Sequence, residues 1–186
     1  YVLEGALFDG EYTFERCHIA HNTGSGGGGA TVPGAIFAQH TDLTLRDCDF
    51  IGNAARNGGA VFISRTLTTI ENCRFLGNQV EQEGGALFIL FSPSSVMATN
   101  CAFVGNTANN GGAIELWDDT ELIITNCAFT ENVATTSGGA IAAQSWDDTV
   151  DNSIFWENSD ASGSDASAQI TFSGFGGILM RNTLYD

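Results

Sequence analysis

The sequence predicts an all-β solenoid, a parallel β-helix of about seven coils with three short strands in each. The phrase Gly-Gly-Ala-(Ile/Leu/Val) occurs four times, and each copy follows a Cys-x-Phe phrase at a similar distance. Within each unit the apolar residues alternate, which is the period of a strand rather than a helix. A unit of this size cannot bury its apolar face alone, so its repetition is typical of stacked coils.

The first strand of each unit follows the Gly-Gly-Ala phrase, as in residues 60–63. Val61 and Ile63 share one face of this strand, because side chains alternate along it. At the position of Phe62, a later unit carries Glu115. A Glu side chain is expected in solvent. We therefore predict that the Val, Ile and Leu face points inward and that the Ala and Phe face points outward.

Two further strands complete each unit. The second has a pattern such as Leu43-x-Leu45, and the third is the Cys-x-Phe phrase with both side chains inward. Asn stands five residues after the Cys position in six successive units, at Asn22, Asn53, Asn78, Asn106, Asn132 and Asn158. Stacked coils place equivalent residues about 4.8 Å apart. We therefore expect these Asn side chains to form a ladder of amide hydrogen bonds.

The repeat covers residues 1–186 as a single β-helix segment. The chain begins with Tyr1 rather than Met, and residues 182–186 stop where another coil would start, so we interpret the sequence as a segment of a longer protein. The first two Cys are 31 residues apart, against 25 to 28 for the later intervals. A Gly-rich stretch accounts for the excess, and we predict an insertion loop at residues 23–33.

The charge balance excludes two classes of partner. The chain has 22 acidic residues against six basic ones and a formal net charge of −16. Such a surface repels nucleic acid and anionic membranes. The longest apolar run, residues 86–91, is too short to span a bilayer, so no direct membrane insertion is expected. An acidic surface suits a secreted or cell-surface (extracellular) protein.

The repeats also resemble those of a known family. The motif (Cys/Ser)-x-Phe-x-x-Asn at residues 48–53, with Gly-Gly-Ala-Val at residues 58–61, recurs across 73–87, 101–114 and 127–141. This pattern is similar to the repeats of the polymorphic outer-membrane protein family and of the wider set of bacterial right-handed parallel β-helix repeat proteins. The resemblance covers about the whole chain. It implies a right-handed solenoid that is secreted or displayed on a cell surface, often as an adhesive passenger.

The cysteines stand one per unit, at Cys17, Cys48, Cys73, Cys101 and Cys127. They form no Cys-x-x-Cys pair, so they do not resemble a zinc cage. Stacked Cα atoms fall inside the disulfide window, but parallel Cβ atoms lie slightly too far apart for a relaxed bond. We favour buried thiols that act as small core side chains. One or two disulfides between coils are the alternative.

Two Trp-Asp-Asp-Thr runs, at residues 117–120 and 146–149, are expected at the same bend of consecutive coils. Carboxylates about 5 Å apart repel one another, and Ca²⁺ bound between the coils would remove that repulsion. Ordinary turn-forming Asp residues are the competing interpretation. The chain requires no cofactor, and the one metal site that the sequence suggests is a calcium site with the ligands Asp118, Asp119, Asp147 and Asp148.

Aromatic residues give the candidate contact surface. The outward column of the first strand contains Phe62 and Phe88, and the two runs add Trp117 and Trp146. Together they predict an exposed aromatic stripe, and large exposed apolar patches usually mark contact surfaces. Alternatively, loops or other parts of the parent chain cover the stripe. We favour such coverage, or a protein partner or self-association along this stripe or at the solenoid ends, over a glycan.

The sequence shows no convergent catalytic set. The six Arg are scattered, and the three His lie near the first coils without an exposed nucleophile. We therefore favour a non-catalytic, secreted or surface-displayed β-helix module with an adhesive or structural role. The first alternative is a β-helix protein that binds or degrades polysaccharides, and the second is a subunit that stacks end to end in an extracellular filament.

Overall fold

The computed structural model describes residues 6–24, 34–118, 120–144, 147–173 and 177–185. Nearly all of the secondary structure in these ranges is short β-strand, numbered here in chain order from β1 to β25. The exception is α1 (Ala166–Gln169), a single helical turn. Neighbouring strands of every sheet are parallel, as in the pairing of Phe75 with Phe103. The predicted all-β parallel β-helix is therefore confirmed.

Each coil contributes a strand to each of three seven-stranded sheets. The first sheet contains β1 (Ala6–Phe8), β4 (Ile36–Gln39), β8 (Val61–Ser64), β12 (Leu87–Leu90), β16 (Ile114–Leu116), β20 (Ile141–Ala143) and β23 (Ile170–Phe172). The second contains β2 (Glu11–Glu15), β5 (Asp42–Arg46), β9 (Leu67–Glu71), β13 (Ser95–Thr99), β17 (Glu121–Thr125), β21 (Asp147–Asp151) and β24 (Gly177–Arg181). The third contains β3 (His18–Ala20), β6 (Asp49–Ile51), β10 (Arg74–Leu76), β14 (Ala102–Val104), β18 (Ala128–Thr130), β22 (Ile154–Trp156) and β25 (Leu184–Tyr185).

The structure adds a fourth strand that the sequence did not predict. A four-stranded sheet contains β7 (Ala54–Ala55), β11 (Gln79–Val80), β15 (Thr107–Asn110) and β19 (Val133–Ser137). These strands follow the Asn column and precede the Gly-Gly-Ala phrase. Five complete turns lead from β4 to β23, somewhat fewer than the seven coils expected. The turn from β1 to β4 includes residues 25–33 of the predicted insertion loop, which lie outside the described residues.

The interior is built from ladders of identical side chains. Phe50, Phe75, Phe103, Phe129 and Phe155 are fully buried in the third sheet. Their ring centroids are 4.6 to 4.8 Å apart and their planes differ by 2 to 5°. The Val, Ile and Leu residues of the first sheet, such as Val61 and Ile63, are buried in the same core, as predicted.

The Asn column forms the predicted amide ladder. The Nδ2 of Asn106 donates to the Oδ1 of Asn132 at 2.9 Å and to the carbonyl oxygen of Phe75 at 3.0 Å. The Oδ1 of Asn106 in turn accepts from the backbone N–H and the Nδ2 of Asn78. The same pattern runs from Asn22 to Asn158, and Gln169 of α1 then accepts from the last amide at 2.6 Å. Every rung is buried, so the ladder satisfies polar groups that water does not reach.

The Gly-Gly pairs are required by close backbone approach. A Cβ on Gly85 would lie 2.0 Å from the carbonyl oxygen of Gly112 in the next coil, and one on Gly112 would lie 2.1 Å from that of Gly139. The first Gly of a pair, such as Gly84 with φ of 63°, adopts a left-handed conformation. No helix in the described part of the chain is long and apolar enough to cross a membrane.

Candidate functional site

The predicted aromatic stripe lies on the outer side of the first sheet, but it is not exposed. Phe37 stacks on Phe62 with ring centroids 5.0 Å apart, and Phe62 meets Phe88 edge-on at 5.3 Å. Trp117 packs edge-on against Phe88 at 5.6 Å. Phe62 is 3% exposed and Phe88 is 2% exposed. The prediction that these two Phe residues form an exposed contact surface is therefore wrong.

The stripe is covered because the chain folds back over the first sheet before each Gly-Gly pair. A Cβ on Gly58 would lie 3.3 Å from the Cα of Phe62, and one on Gly84 would lie 3.0 Å from the Cα of Phe88. The turns therefore rest directly on the outer face of the sheet. Trp117 is half-buried, and Trp146 lies outside the described residues. Outward orientation, which the alternation predicted correctly, is thus different from exposure at this sheet.

The two Trp-Asp-Asp runs do not occupy equivalent positions. Asp118 lies in the bend between β16 and β17 with φ of 59°. Asp148 lies within β21, is 1% exposed, and accepts a hydrogen bond from the backbone N–H of Leu122 at 3.0 Å. The second run stands two residues further past its Gly-Gly-Ala phrase, so it enters the strand instead of the bend. The expectation that both runs share one bend is wrong.

The calcium site stays a prediction. Asp119 and the side chain of Asp147 lie outside the described residues. Among the residues that are described, no group of three or more His, Cys, Asp or Glu side chains could hold a metal ion. A melting experiment with and without EDTA checks the prediction, because a calcium-binding coil would melt at a lower temperature after chelation.

The cysteines are core side chains in the structure. All five are free thiols, and four are fully or almost fully buried while Cys17 is half-buried. Burial raises the pKa of the Cys73 thiol to about 12 and also raises the pKa of Cys48. At these two positions the thiol stays protonated and is neither a nucleophile nor a metal ligand, whereas a hydrogen bond with Cys101 lowers the pKa of the buried Cys127. This agrees with the favoured interpretation of the column.

Ion pairs between coils occupy the outer faces of the second and third sheets. Arg46 donates to Glu71 at 2.9 Å, and Arg74 donates through two nitrogens to Asp49 at 2.6 and 2.7 Å. The hydrogen bonds from Arg74 hold the pKa of the Asp49 carboxyl below its usual value. These Arg side chains are therefore engaged in cross-coil pairing.

The later coils expose an apolar surface on the third sheet. We call it the third-sheet strip, and it comprises Ala128, Thr130, Ile154, Trp156 and Leu184. Ile154, Trp156 and Leu184 are 46, 45 and 59% exposed. Sequence reasoning missed these residues because it considered the outward column of the first sheet alone. The positions on either side of each inward Phe would have revealed them.

The earlier coils of the same sheet are charged. His18, Asp49 and Arg74 occupy the column that Ala128, Ile154 and Leu184 occupy later. One outward column of the third sheet therefore changes from charged to apolar along the solenoid, whereas the other outward column already carries Ala20, Ile51, Leu76 and Val104 in the earlier coils. Such a change distinguishes the strip from scattered exposed apolar residues.

A shallow groove lies at the bends between the first and second sheets. His40, Asp42 and Arg65 line it together with Pro93. The guanidinium carbon of Arg65 lies 4.7 Å from the ring centroid of Phe91, so the ring holds the cation in place. In the part of the chain that the structure describes, Arg65 has no carboxylate partner within ion-pair distance. The groove thus presents one guanidinium on an acidic molecule, together with the carboxylate of Asp42 on its lining.

Glu115 departs most clearly from expectation. It points outward from β16, as predicted, yet it is 2% exposed rather than solvated. The Nε1–H of Trp117 donates to its Oε1 at 2.6 Å. Burial, with a smaller contribution from the nearby Glu83 carboxyl, raises the pKa of Glu115 to about 9. The turn that covers the aromatic column covers this carboxyl as well.

Comparison with known proteins places the chain in a family. The family model described as a right handed beta helix region matches residues 59–186, which is more than half of the chain. Neither the search of curated proteins nor the search of solved structures produced a match. The matched residues coincide with in-register coils of parallel strands. The chain belongs to the right-handed beta helix family.

Proposed function

We propose that this chain is a non-catalytic β-helix module, secreted or displayed on a cell surface, with an adhesive or structural role. The observation that carries the proposal is the third-sheet strip. It presents Ile154, Trp156 and Leu184 to solvent on a regular sheet. In the interior of the solenoid, ladders of buried Phe and Asn side chains hold that sheet in register. A rigid apolar face of this kind is suited to contact with another macromolecule.

The composition of the surface favours a protein partner with an apolar centre and a basic rim. Trp is enriched at the centres of protein interfaces, where it contributes a large contact area. The net charge of −16 favours encounter with a positively charged partner. The resemblance to polymorphic outer-membrane protein repeats supports display on a cell surface.

Adhesion of protein-coated beads to cultured cells and to extracellular-matrix proteins tests this proposal. The double variant Ile154→Ser with Trp156→Ser should lower adhesion about tenfold or more, because both side chains lie in the proposed contact surface. The matched control is Leu67→Ser with Met97→Ser on the second sheet, where the side chains are 60 and 46% exposed. Equal loss in both double variants, or no loss in either, would contradict the proposal.

Binding of an acidic polysaccharide is the second candidate. The observation that favours it is the groove with Arg65, whose guanidinium is held over Phe91 and has no carboxylate partner among the described residues. A uronate or sulfate group would supply that partner. A panel of uronic, sulfated and neutral glycans tests the idea with the wild type and Arg65→Ala. Binding of acidic glycans that Arg65→Ala abolishes would support this candidate, and turnover of a glycan would replace the non-catalytic proposal.

End-to-end stacking into a filament is a third form of the structural role. The outermost strands of the three large sheets, such as β1 and β23, pair on one side only within the described residues. Unpaired strand edges promote association between chains. Sedimentation at increasing protein concentration tests the idea, and a monomer at every concentration counts against it.

A further inference from the structure

Glu115 occupies a position where its neighbours in the sheet are apolar. In the first sheet it stands between Phe88 of β12 and Ala142 of β20. The turn before β16 lies against it, since a Cβ on Gly111 would be 2.9 Å from the Cβ of Glu115. Its Oε1 accepts a hydrogen bond from the indole of Trp117 at 2.6 Å. One of its two oxygens is therefore satisfied.

The other oxygen has no donor. The Oε2 of Glu115 is buried and lacks a hydrogen-bond partner in the part of the chain that the structure describes. The group within hydrogen-bonding reach is the carboxyl of Glu83, from the turn that follows β11. Glu83 itself accepts from the Nδ2 of Asn110 at 3.1 Å through its Oε2. Trp117 thus donates to Glu115 and Asn110 donates to Glu83. Where the two carboxyls face each other, neither has a donor if both are ionised.

Two ionised carboxylates cannot face each other in this way without a large energetic cost. Each is an acceptor only, and like charges out of water repel strongly. A carboxylic acid, by contrast, donates one hydrogen bond and still accepts others. A single proton between Glu83 and Glu115 would satisfy every oxygen of the pair that the described residues leave without a donor.

We propose that Glu83 and Glu115 share one proton, and that this carboxyl pair is a pH-dependent latch between two consecutive coils. Glu83 belongs to the turn before β12, and Glu115 belongs to β16, the strand of the next coil that pairs with β12. The shared proton ties the turn to the sheet. Loss of the proton leaves two like charges in contact and pushes the turn away from the sheet.

The electrostatic surroundings support this latch. Burial is the largest cause that raises the pKa of Glu115 to about 9, the contact with Glu83 raises it further, and the Trp117 hydrogen bond opposes the rise. The remaining neighbours of Glu115 are neutral: Phe88, Ala142, Trp117 and Gly111. Glu83 is therefore the one charged group identified as facing Glu115 among the described residues.

The direction of the pH effect follows from the raised pKa. The folded chain retains the proton up to about pH 9, whereas an unfolded Glu releases it near its ordinary value of 4.5. Between these values the folded state binds more protons than the unfolded state, so stability falls as the pH rises through this window. Below the window the pair contributes no pH dependence, because both states are protonated.

Melting curves between pH 5 and pH 9 test the latch. The wild type should lose about 5 °C or more across this range in excess of the loss in Glu115→Gln. Glutamine keeps the acceptor for Trp117 and supplies Glu83 with a permanent N–H donor, so Glu115→Gln should melt higher than the wild type at pH 9. The matched control is Glu81→Gln, an exposed Glu in the same turn whose replacement removes the same charge. Parallel profiles for all three proteins would overturn the proposal.

Infrared spectroscopy and calcium addition test the shared proton independently of the melting curves. In the folded wild type at pH 7, infrared spectroscopy should show the C=O stretch of a protonated carboxyl, and Glu83→Gln should shift this band, because burial still keeps Glu115 protonated while its hydrogen-bond partner has changed. This readout remains available if Glu115→Gln fails to fold, and absence of the band in the wild type would refute the shared proton. Calcium added at pH 9 should leave the melting temperature unchanged. A rise in the wild type that Glu83→Gln abolishes would assign the pair to a cation instead.

Discussion

Two buried polar systems stabilise this solenoid in opposite ways. The Asn ladder repeats one side chain in every coil, and each rung donates to one neighbour and accepts from the other. The Glu83 and Glu115 pair also joins residues of neighbouring coils, but the oxygen between the two carboxyls lacks a donor among the described residues. The Asn rungs and Glu115 are buried whereas Glu83 is half-buried, and the main difference between the two systems lies in the side-chain chemistry.

The comparison shows which polar groups tolerate stacking. An amide carries a donor and an acceptor, so identical copies about 4.8 Å apart satisfy each other indefinitely. A carboxylate carries acceptors alone, so two of them require a proton or a cation between them. A ladder of amides is therefore insensitive to pH, whereas a pair of carboxyls is not.

The largest loss of stability is expected when one amide of the Asn ladder is replaced by a carboxylate. Asn106→Asp removes the donor to Asn132 and to the carbonyl oxygen of Phe75, and it buries a charge. We expect a loss of about 3–5 kcal/mol in the free energy of unfolding at pH 7. Part of this loss should be recovered in acid, where the new carboxyl is protonated. Urea unfolding at pH 4 and pH 7 measures both values.

Asn126→Asp is the matched control for that change. Asn126 is exposed and lies in a turn with φ of 54°, which Asp also adopts readily. The same substitution should therefore change stability little at either pH. A comparable loss in both variants would show that added negative charge, and not the missing donor, destabilises the ladder.

An intermediate effect is expected at the donor that supports the carboxyl pair. Trp117→Phe keeps an aromatic ring against Phe88 but removes the N–H that Glu115 accepts. We expect a loss of about 1–2 kcal/mol. The pKa of Glu115 should rise further, because the Trp117 hydrogen bond lowers it. Chemical unfolding and a pH titration of stability measure the two effects, and Trp156→Phe at a 45% exposed position should show neither.

The smallest effect is expected at the exposed cross-coil ion pair. Arg74→Ala removes both hydrogen bonds to Asp49, but solvent and salt screen this pair. Arg74 holds the pKa of Asp49 low, so its contribution is present at neutral pH and is lost as the pH falls through that lowered value. Melting curves should show a small deficit at pH 7 in low salt and none in acid or in high salt. Arg16→Ala, at an exposed Arg that pairs with the adjacent Glu15, should show no deficit at all.

The features that the sequence predicted are those that each coil repeats. Fixed offsets identified the Phe and Asn columns, and alternation separated inward Val61 from outward Phe62. Alternation could not show that Phe62 and Glu115 are covered, because a turn from another part of the coil lies over them. The position of Asp148 was missed for a similar reason: two extra residues moved it from a bend into a strand.

The fourth strand and the third-sheet strip depend on residues that vary between coils. The strands β7 and β11 are two residues long and carry no alternating pattern, so their pairing is visible only after the coils are stacked. In the strip, Ile154 stands where earlier coils carry Asp49 and Arg74. Repetition therefore predicts the scaffold, and departures from repetition mark the candidate contact sites.

Because the Asn rungs stack in register, the solenoid can gain or lose complete coils without disturbing the ladder. Removal of residues 74–101 would delete the coil of Asn78 and bring the coil of Asn53 against that of Asn106, with an identical amide at the new junction. The coils already differ in length by up to three residues between Asn53 and Asn132 while their rungs stay paired, so the turns absorb small differences in length. Gain and loss of complete coils is thus an evolutionary route by which such a chain can change its length while the hydrogen-bonding of its interior stays intact.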